Sequence, residues 1–126
     1  MNKEWLKQWL QKANHDLIAS KMILDSHPII LDISCFHCQQ AIEKLLKLFL
    51  LANNQELIKT HSLDILVEEC IDIDKSFSEL DFKDLESYAV RSRYPDQFIA
   101  PELSEAKEYY QIALAVKELV LSKVEL

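Results

Sequence analysis

The sequence predicts an all-α fold, an up-and-down bundle of about five helices, three of them long and two short. Apolar residues recur at steps of three and four through most of the chain, which is the period of an α-helix with one buried face. No stretch keeps the two-residue alternation of a β-strand. The 126 residues are enough to bury one hydrophobic core but not two, so we expect a single helical domain over residues 1–126.

The first helix is expected from about Lys3 to Asp25. Asn2 is a suitable N-cap, and Pro28 disfavours helical geometry in the residue before it. Its buried stripe consists of Leu6, Leu10, Ala13, Leu17 and Leu24. Trp5 and Trp9 flank that stripe one turn apart, and we favour packing in the core or at a subunit interface over a platform for base stacking.

The second helix is expected to begin at Asp32, as its cap, and to end at Ala52 before the polar residues 53–55. One face is apolar and carries Cys38, Ile42, Leu45, Phe49 and Ala52. A neighbouring face aligns hydrogen-bonding and charged groups at helical spacing, namely His37, Gln40, Glu43, Lys44 and Lys47. We therefore expect this helix to supply both the scaffold and the functional site.

Three further helices complete the predicted bundle. Thr60 or Ser62 opens a shorter helix, with the apolar residues Leu63, Leu66, Val67, Cys70 and Ile71. A capping box, Ser76 with Glu79 or Ser78 with Asp81, predicts a fourth helix with Phe82, Leu85 and Ala89. The last helix is expected from about Glu102 to Val124, with a buried stripe of Ala106, Tyr109 or Tyr110, Ala113, Val116 and Val120.

The composition excludes several classes of nucleotide site. Because the chain has no glycine, it cannot form a Walker phosphate loop, a dinucleotide-binding fingerprint or a glycine-serine nucleotidyltransferase loop. A net charge of −7 argues against a broad DNA-binding surface. Nine acidic residues and two lysines lie between Asp64 and Glu86, however, so the remaining cations can still form a local basic pocket.

Several features favour a cytoplasmic protein. Three cysteines, an odd number, suit a reduced compartment better than a disulfide scaffold. The first twelve residues mix charges with apolar side chains and so lack the apolar core of a signal peptide. Lys44 and Lys47 interrupt the most apolar run, and we expect no membrane segment.

Cys35 and Cys38 form a C-x-x-C pair around His37, which raises the question of zinc or redox chemistry. The pair lies within a predicted helix, and no second ligand pair follows at zinc spacing. We therefore interpret these cysteines as small buried thiols and expect neither a metal nor another cofactor.

Arg91 and Arg93 are the only arginines in the chain, and they stand together before Tyr94. A guanidinium offers a planar fork that suits phosphate or carboxylate, whereas the structural alternative is pairing with the acidic segment 64–86. His61 lies at a predicted helix start, where it can act as an acid, a base or a donor, or can simply cap and pack.

Four stretches together resemble the HEPN family, the higher-eukaryote and prokaryote nucleotide-binding domains. They are A-x-x-D-L-x-A over residues 13–19, F-H-x-Q-Q-A-x-E-K-x-x-K over 36–47, T-H-x-L over 60–63 and R-Y-P-D over 93–96. The resemblance implies an up-and-down bundle that pairs into a homodimer, with polar groups in a cleft near the pairing surface. It also implies an association with nucleotides or RNA, often beside a separately encoded minimal nucleotidyltransferase.

The chain departs from the family members that cut RNA. Those members resemble metal-independent ribonucleases with an Arg followed, after four to six residues, by a His near the last helix. All four histidines of this chain precede Arg91, so we assign no catalytic residue. His37 or His61 would substitute only if folding brings it beside Arg91.

The leading functional prediction is a nucleotide- or RNA-binding module that serves as the non-catalytic partner of a nucleotidyltransferase. Two alternatives stay open: a divergent ribonuclease acting as the toxin of a toxin–antitoxin pair, and a structural dimerisation or adaptor domain. The predicted ligand-binding residues are His37, Gln40, Glu43, Lys44, Lys47, His61, Arg91, Arg93 and Tyr94.

Overall fold

The computed structural model describes residues 2–91, 94–95 and 100–126, with only the backbone of Arg91. Within these residues the chain forms five α-helices and no strand: α1 Lys3–Ser26, α2 Leu31–Ala52, α3 Leu63–Ile73, α4 Tyr88–Arg91 and α5 Leu103–Lys123. Short 3₁₀ turns lie at Pro28–Ile30, Lys75–Glu79 and Leu85–Ser87. The predicted all-α bundle with three long and two short helices is confirmed.

Helix α2 is the centre of the bundle and contacts each of the other four helices. From Ala41 to Leu51 every residue except Lys44 is buried, so the prediction of one buried face understates its burial. A helix that is buried nearly all round must be covered on most sides by its neighbours. The long helices α1 and α5 supply much of that cover and also contact one another.

The helix ends follow local capping rules at most positions. Asn2 accepts a hydrogen bond from the backbone N–H of Glu4, and Ser62 accepts one from that of Ile65, so both predicted caps are confirmed. The predicted cap at Asp32 is wrong, because α2 begins at Leu31 directly after the 3₁₀ turn. Asp32 instead lies in the first helical turn, where its negative charge interacts favourably with the positive end of the helix dipole.

The end of α2 shows how a chain without glycine closes a helix. Asn54 takes the left-handed conformation, with φ of 61°. Its backbone N–H donates to the carbonyl of Leu51, and the next N–H, of Gln55, donates to that of Leu50. This is the hydrogen-bond pattern of a Schellman cap, in which asparagine replaces the usual glycine.

The predicted capping boxes between residues 76 and 81 are wrong, and the short fourth helix begins only at Tyr88. Asp74 caps a 3₁₀ turn instead, through the backbone N–H of Ser76. Phe77 packs against Phe49 of α2 with ring centroids 4.4 Å apart. The buried residues of this segment follow one another at steps of five, three and three, and they are Phe77, Phe82, Leu85 and Tyr88. Their burial therefore holds the segment in tight turns.

Candidate functional site

The polar face of α2 is held by partners from α1 and from the segment before α3. His37, Gln40, Lys44 and Lys47 follow one another at steps of three and four, so their side chains leave the same side of the helix. Within the bundle these side chains lie at the boundary between the core and the solvent. Each polar group there needs a partner, because an unpaired buried polar group is costly.

Asp16 of α1 organises the first cluster, which we call the Asp16 cluster. One carboxylate oxygen lies 2.9 Å from Nδ1 of His37, and the other accepts from Nζ of Lys44 at 2.5 Å. Burial raises the pKa of Asp16, but hydrogen bonds from His37 and Lys44 outweigh it and leave that pKa below its ordinary value. The ionised carboxylate therefore fixes both side chains on the face of α2.

Glu43 organises the second cluster, the Glu43 cluster, in the same way. One oxygen lies 2.9 Å from Nδ1 of His61, and the other accepts from Nζ of Lys47 at 3.1 Å. The side chains of Glu43 and Lys47 are only 6% and 9% exposed, whereas that of His61 is 78% exposed. A buried ion pair thus holds an imidazole that lies mostly in solvent.

Gln39 links His61 to the middle of the polar face. Its side chain is fully buried, and its amide nitrogen donates to the backbone carbonyl of His61 at 3.3 Å. Its amide oxygen accepts from Nε2 of Gln40 at 2.7 Å. Gln40 is therefore oriented by a buried neighbour rather than by solvent.

The two clusters share one chemical arrangement. In each, a carboxylate accepts from a histidine through Nδ1 and from a lysine through its other oxygen. An ionised carboxylate only accepts, so Nδ1 carries the proton and Nε2 is left as the outward nitrogen. Among the described residues neither Nε2 has a hydrogen bond. Each imidazole can accept a proton or, when charged, donate to a phosphate oxygen.

The comparisons with known proteins identify the family of this chain. The HEPN domain model matches residues 6–124. The chain belongs to the HEPN family. Two solved structures are similar over nearly the whole chain. The protein TT1696 from Thermus thermophilus is 26% identical with a TM-score of 0.72, covering 98% of this chain and 100% of that one. An archaeal HEPN homologue is 20% identical with a TM-score of 0.68, covering 95% and 98%. No curated protein is significantly similar to the chain.

Three predicted ligand residues of this HEPN chain lie between α4 and α5 or at the end of α4. Arg91 ends α4, but its side chain lies outside the described residues, as does the whole of Arg93. Tyr94 is about half exposed, and no hydrogen bond among the described residues joins it to the polar face of α2. The described geometry therefore groups the other six in two places: His37 with Lys44 at Asp16, and Lys47 with His61 at Glu43, with Gln40 joined to His61 through Gln39.

Asp16 and Gln39 are the residues that sequence reasoning missed. Both lie within the quoted HEPN-like stretches, but neither was predicted to belong to the site. Asp16 follows Ala13 by three and precedes Ser20 by four, and both of those residues are fully buried. A carboxylate at the spacing of the buried stripe was the available signal, since such a group needs a cationic or donor partner.

The cysteines of the HEPN chain are buried, as predicted. Cys38 lies 3.0 Å from the hydroxyl of Ser20, and burial raises the pKa of its thiol to about 11. Burial likewise raises the pKa of Cys70 to about 12. Thiols in this state are poor nucleophiles and poor metal ligands. In the described part of the chain, no three His, Cys, Asp or Glu side chains are grouped to hold a metal ion.

Two further observations concern the surface of the chain. A cavity of about 570 Å³ lies against the start of α5, and its lining includes Lys83, Glu102, Glu105 and Glu108. No predicted site residue with a described side chain lines this cavity, and its acidic walls suit phosphate poorly. Among the described helices, none has the length and apolar character needed to cross a bilayer.

Proposed function

We propose that this HEPN chain is a nucleotide- or RNA-binding module that uses the polar face of α2. We propose further that it acts in the cytoplasm as a homodimer and as the non-catalytic partner of a separately encoded minimal nucleotidyltransferase. The observation that carries the proposal is the pair of carboxylate-held histidines that contact α2, His37 at Asp16 and His61 at Glu43. Oriented donors beside lysines are what recognition of a phosphorylated ligand requires.

The residues have different roles in this proposal. His37, Gln40, His61 and Tyr94 orient the base or the sugar, and Arg91 and Arg93 bind phosphate through their guanidinium groups. Lys44 adds positive potential at the partly open Asp16 cluster. Lys47 is buried against Glu43, so its part is to hold the carboxylate that orients His61.

Titration with ATP, GTP and a short fluorescent RNA tests the proposal. We expect saturable binding that His61→Ala weakens about tenfold or more, because a hydrogen bond to a charged group is lost. His15→Ala is the matched control, since His15 is an exposed histidine of α1 outside both clusters. An Arg91→Ala/Arg93→Ala protein should lose most of its affinity. Absence of binding, or affinity unchanged in both variants, would remove the basis of the proposal and leave the adaptor alternative.

The proposed protein partners need their own measurements. A reading frame beside this one that encodes a small glycine-serine, double-aspartate nucleotidyltransferase would support the paired module. Co-expression of the two chains should then give one complex on size-exclusion chromatography. Light scattering at micromolar concentration tests the homodimer, and a persistent monomer would contradict it.

Metal-independent RNA cleavage is a second candidate function, favoured by the contact between His61 and Glu43. A carboxylate that fixes Nδ1 leaves Nε2 of an exposed imidazole ready to take the proton of a 2′-hydroxyl, as in other acid–base catalysts. The attacking 2′-oxygen would displace the 5′-oxygen, which leaves with a proton supplied by a second group.

Incubation with RNA in the presence of a chelator tests cleavage. A ribonuclease should give products ending in cyclic phosphate, and expression of the chain should slow growth, as expected of a toxin. His61→Ala should abolish both effects and His15→Ala should abolish neither. Intact RNA after prolonged incubation with the purified chain would exclude this candidate.

A further inference from the structure

A shallow hollow adjoins the Asp16 cluster on the first turns of α1. Its volume is about 320 Å³, and it is lined by Trp5, Gln8, Trp9, Lys12 and Lys44. Four of these residues come from α1 at helical spacing, and Lys44 comes from α2. The walls are mostly apolar, and the lining residues with polar side chains are Gln8, Lys12 and Lys44.

The two tryptophans give the hollow its shape. Their ring centroids are 6.4 Å apart with the rings inclined at 70°, an edge-to-face pair. Trp9 packs partly against the core, whereas Trp5 is 38% exposed. Packing within the chain therefore accounts for Trp9 but leaves more than a third of Trp5 exposed. An exposed indole braced by a second indole is a surface on which another flat ring can stack.

Lys44 connects the hollow to the proposed binding face. Its ammonium group accompanies His37 on the carboxylate of Asp16, and its side chain also lines the hollow. Lys12 is exposed and has no ion pair among the described residues. A ligand in the hollow would thus meet aromatic faces, the amide of Gln8 and positive charge within one short span. This combination matches a base with its attached phosphate better than it matches a purely apolar ligand.

We propose that this hollow is a stacking subsite for one nucleobase of a single-stranded RNA. The base lies against Trp5 and Trp9, and the adjoining phosphate lies near Lys12 and Lys44. The strand then continues toward His37 and the rest of the polar face. This inference rests on the proposed function, because it adds a base-binding subsite to the same site.

Tryptophan fluorescence tests the subsite directly. Trp5 and Trp9 are the only tryptophans in the chain, so selective excitation of indole reports on the hollow alone. Binding of a short labelled RNA is followed in parallel by anisotropy. We expect indole quenching that saturates at the same RNA concentration as the anisotropy. Inorganic polyphosphate, which offers charge without bases, should compete weakly and leave the fluorescence unchanged.

Substitutions separate stacking from other roles of the indoles. Trp5→Ala should weaken RNA binding by about tenfold or more, and Trp5→Tyr should restore much of it by returning an aromatic face. Met22→Ala is the control, since Met22 is a 63% exposed apolar residue of α1 that does not line the hollow. Circular dichroism should show the same helix content in all three variants.

The outcomes distinguish this inference from the function on which it rests. RNA binding without indole quenching, and with full affinity in Trp5→Ala, would overturn the subsite and keep the proposed function. No binding of RNA or nucleotide would overturn both. Indole fluorescence that changes with protein concentration alone, and a Trp5→Ala protein that is monomeric, would assign the hollow to a contact between two copies of the chain and so overturn the subsite.

Discussion

The Asp16 cluster and the Glu43 cluster use the same three groups but differ in which group is exposed. In the Asp16 cluster exposure is shared, with side-chain values of 13% for Asp16, 24% for Lys44 and 28% for His37. In the Glu43 cluster the carboxylate and lysine are buried while the imidazole of His61 is 78% exposed. The same chemistry is thus distributed differently between core and surface.

This difference separates the groups that stabilise the fold from the groups that a ligand can contact. Both charges of a buried ion pair have lost their hydration, so removing one partner leaves the other uncompensated in the core. A partly exposed group keeps water as an alternative partner and loses less. We therefore expect Glu43 and Lys47 to contribute mainly through the stability of their buried pair. We expect His61, His37 and Lys44 to contribute mainly through contact with a ligand.

Removal of one lysine from each cluster should give the largest contrast. Lys47→Met leaves Glu43 buried without its ammonium partner and should lower the free energy of unfolding by about 3–5 kcal/mol. Lys44→Met, at a partly open position, should cost only about 1 kcal/mol. Urea denaturation followed by circular dichroism measures both values.

A double variant checks the reason for that contrast. Glu43→Gln/Lys47→Met removes both buried charges and should recover much of the stability that Lys47→Met loses. If Lys47→Met and Lys44→Met cost the same, burial would not be what distinguishes the two clusters. The same would follow if the double variant were no more stable than Lys47→Met.

Local rules made the helices predictable from the sequence. The stripes of α1 and α5, the caps at Asn2 and Ser62, and the end of α2 at Ala52 all follow from spacing and capping within a few residues. The segment after α3 was not predictable in this way. Its turns depend on where Phe77 meets Phe49, a contact between residues far apart in the sequence.

The candidate site could be predicted only in part for the same reason. The polar residues of α2 share one helix, so their alignment is a property of the local sequence. Asp16 reaches them only because α1 packs against α2, and the chain contains 21 acidic residues from which to choose. Likewise, spacing placed Lys47 on the polar face but could not show that Glu43 and Lys47 would be buried together.

Acid should reveal the charge on Asp16. The pKa of this carboxyl is lowered in the folded chain, so its ionisation stabilises the fold above the ordinary value of 3.8, and this contribution is lost as the pH falls through the folded pKa. Asp16→Asn has no such titration. The stability advantage of the unsubstituted chain over the variant should therefore be constant above about pH 5 and should shrink on acidification. Urea denaturation at a series of pH values measures it, and a constant difference down to about pH 3 would contradict the assignment.

The two histidines should give the smallest effects on stability and the sharpest test of the comparison. His61→Ala should change the free energy of unfolding by less than about 0.5 kcal/mol, because the ring is mostly in solvent and Glu43 keeps Lys47. His37→Ala should cost about 1 kcal/mol, since a more covered ring and its bond to Asp16 are lost. If ligand binding uses both outward Nε2 atoms, the two variants should nevertheless weaken RNA affinity to a similar extent. A His61→Ala protein that loses several kcal/mol of stability would instead make His61 part of the structural support, and its effect on binding would then carry no information about contact.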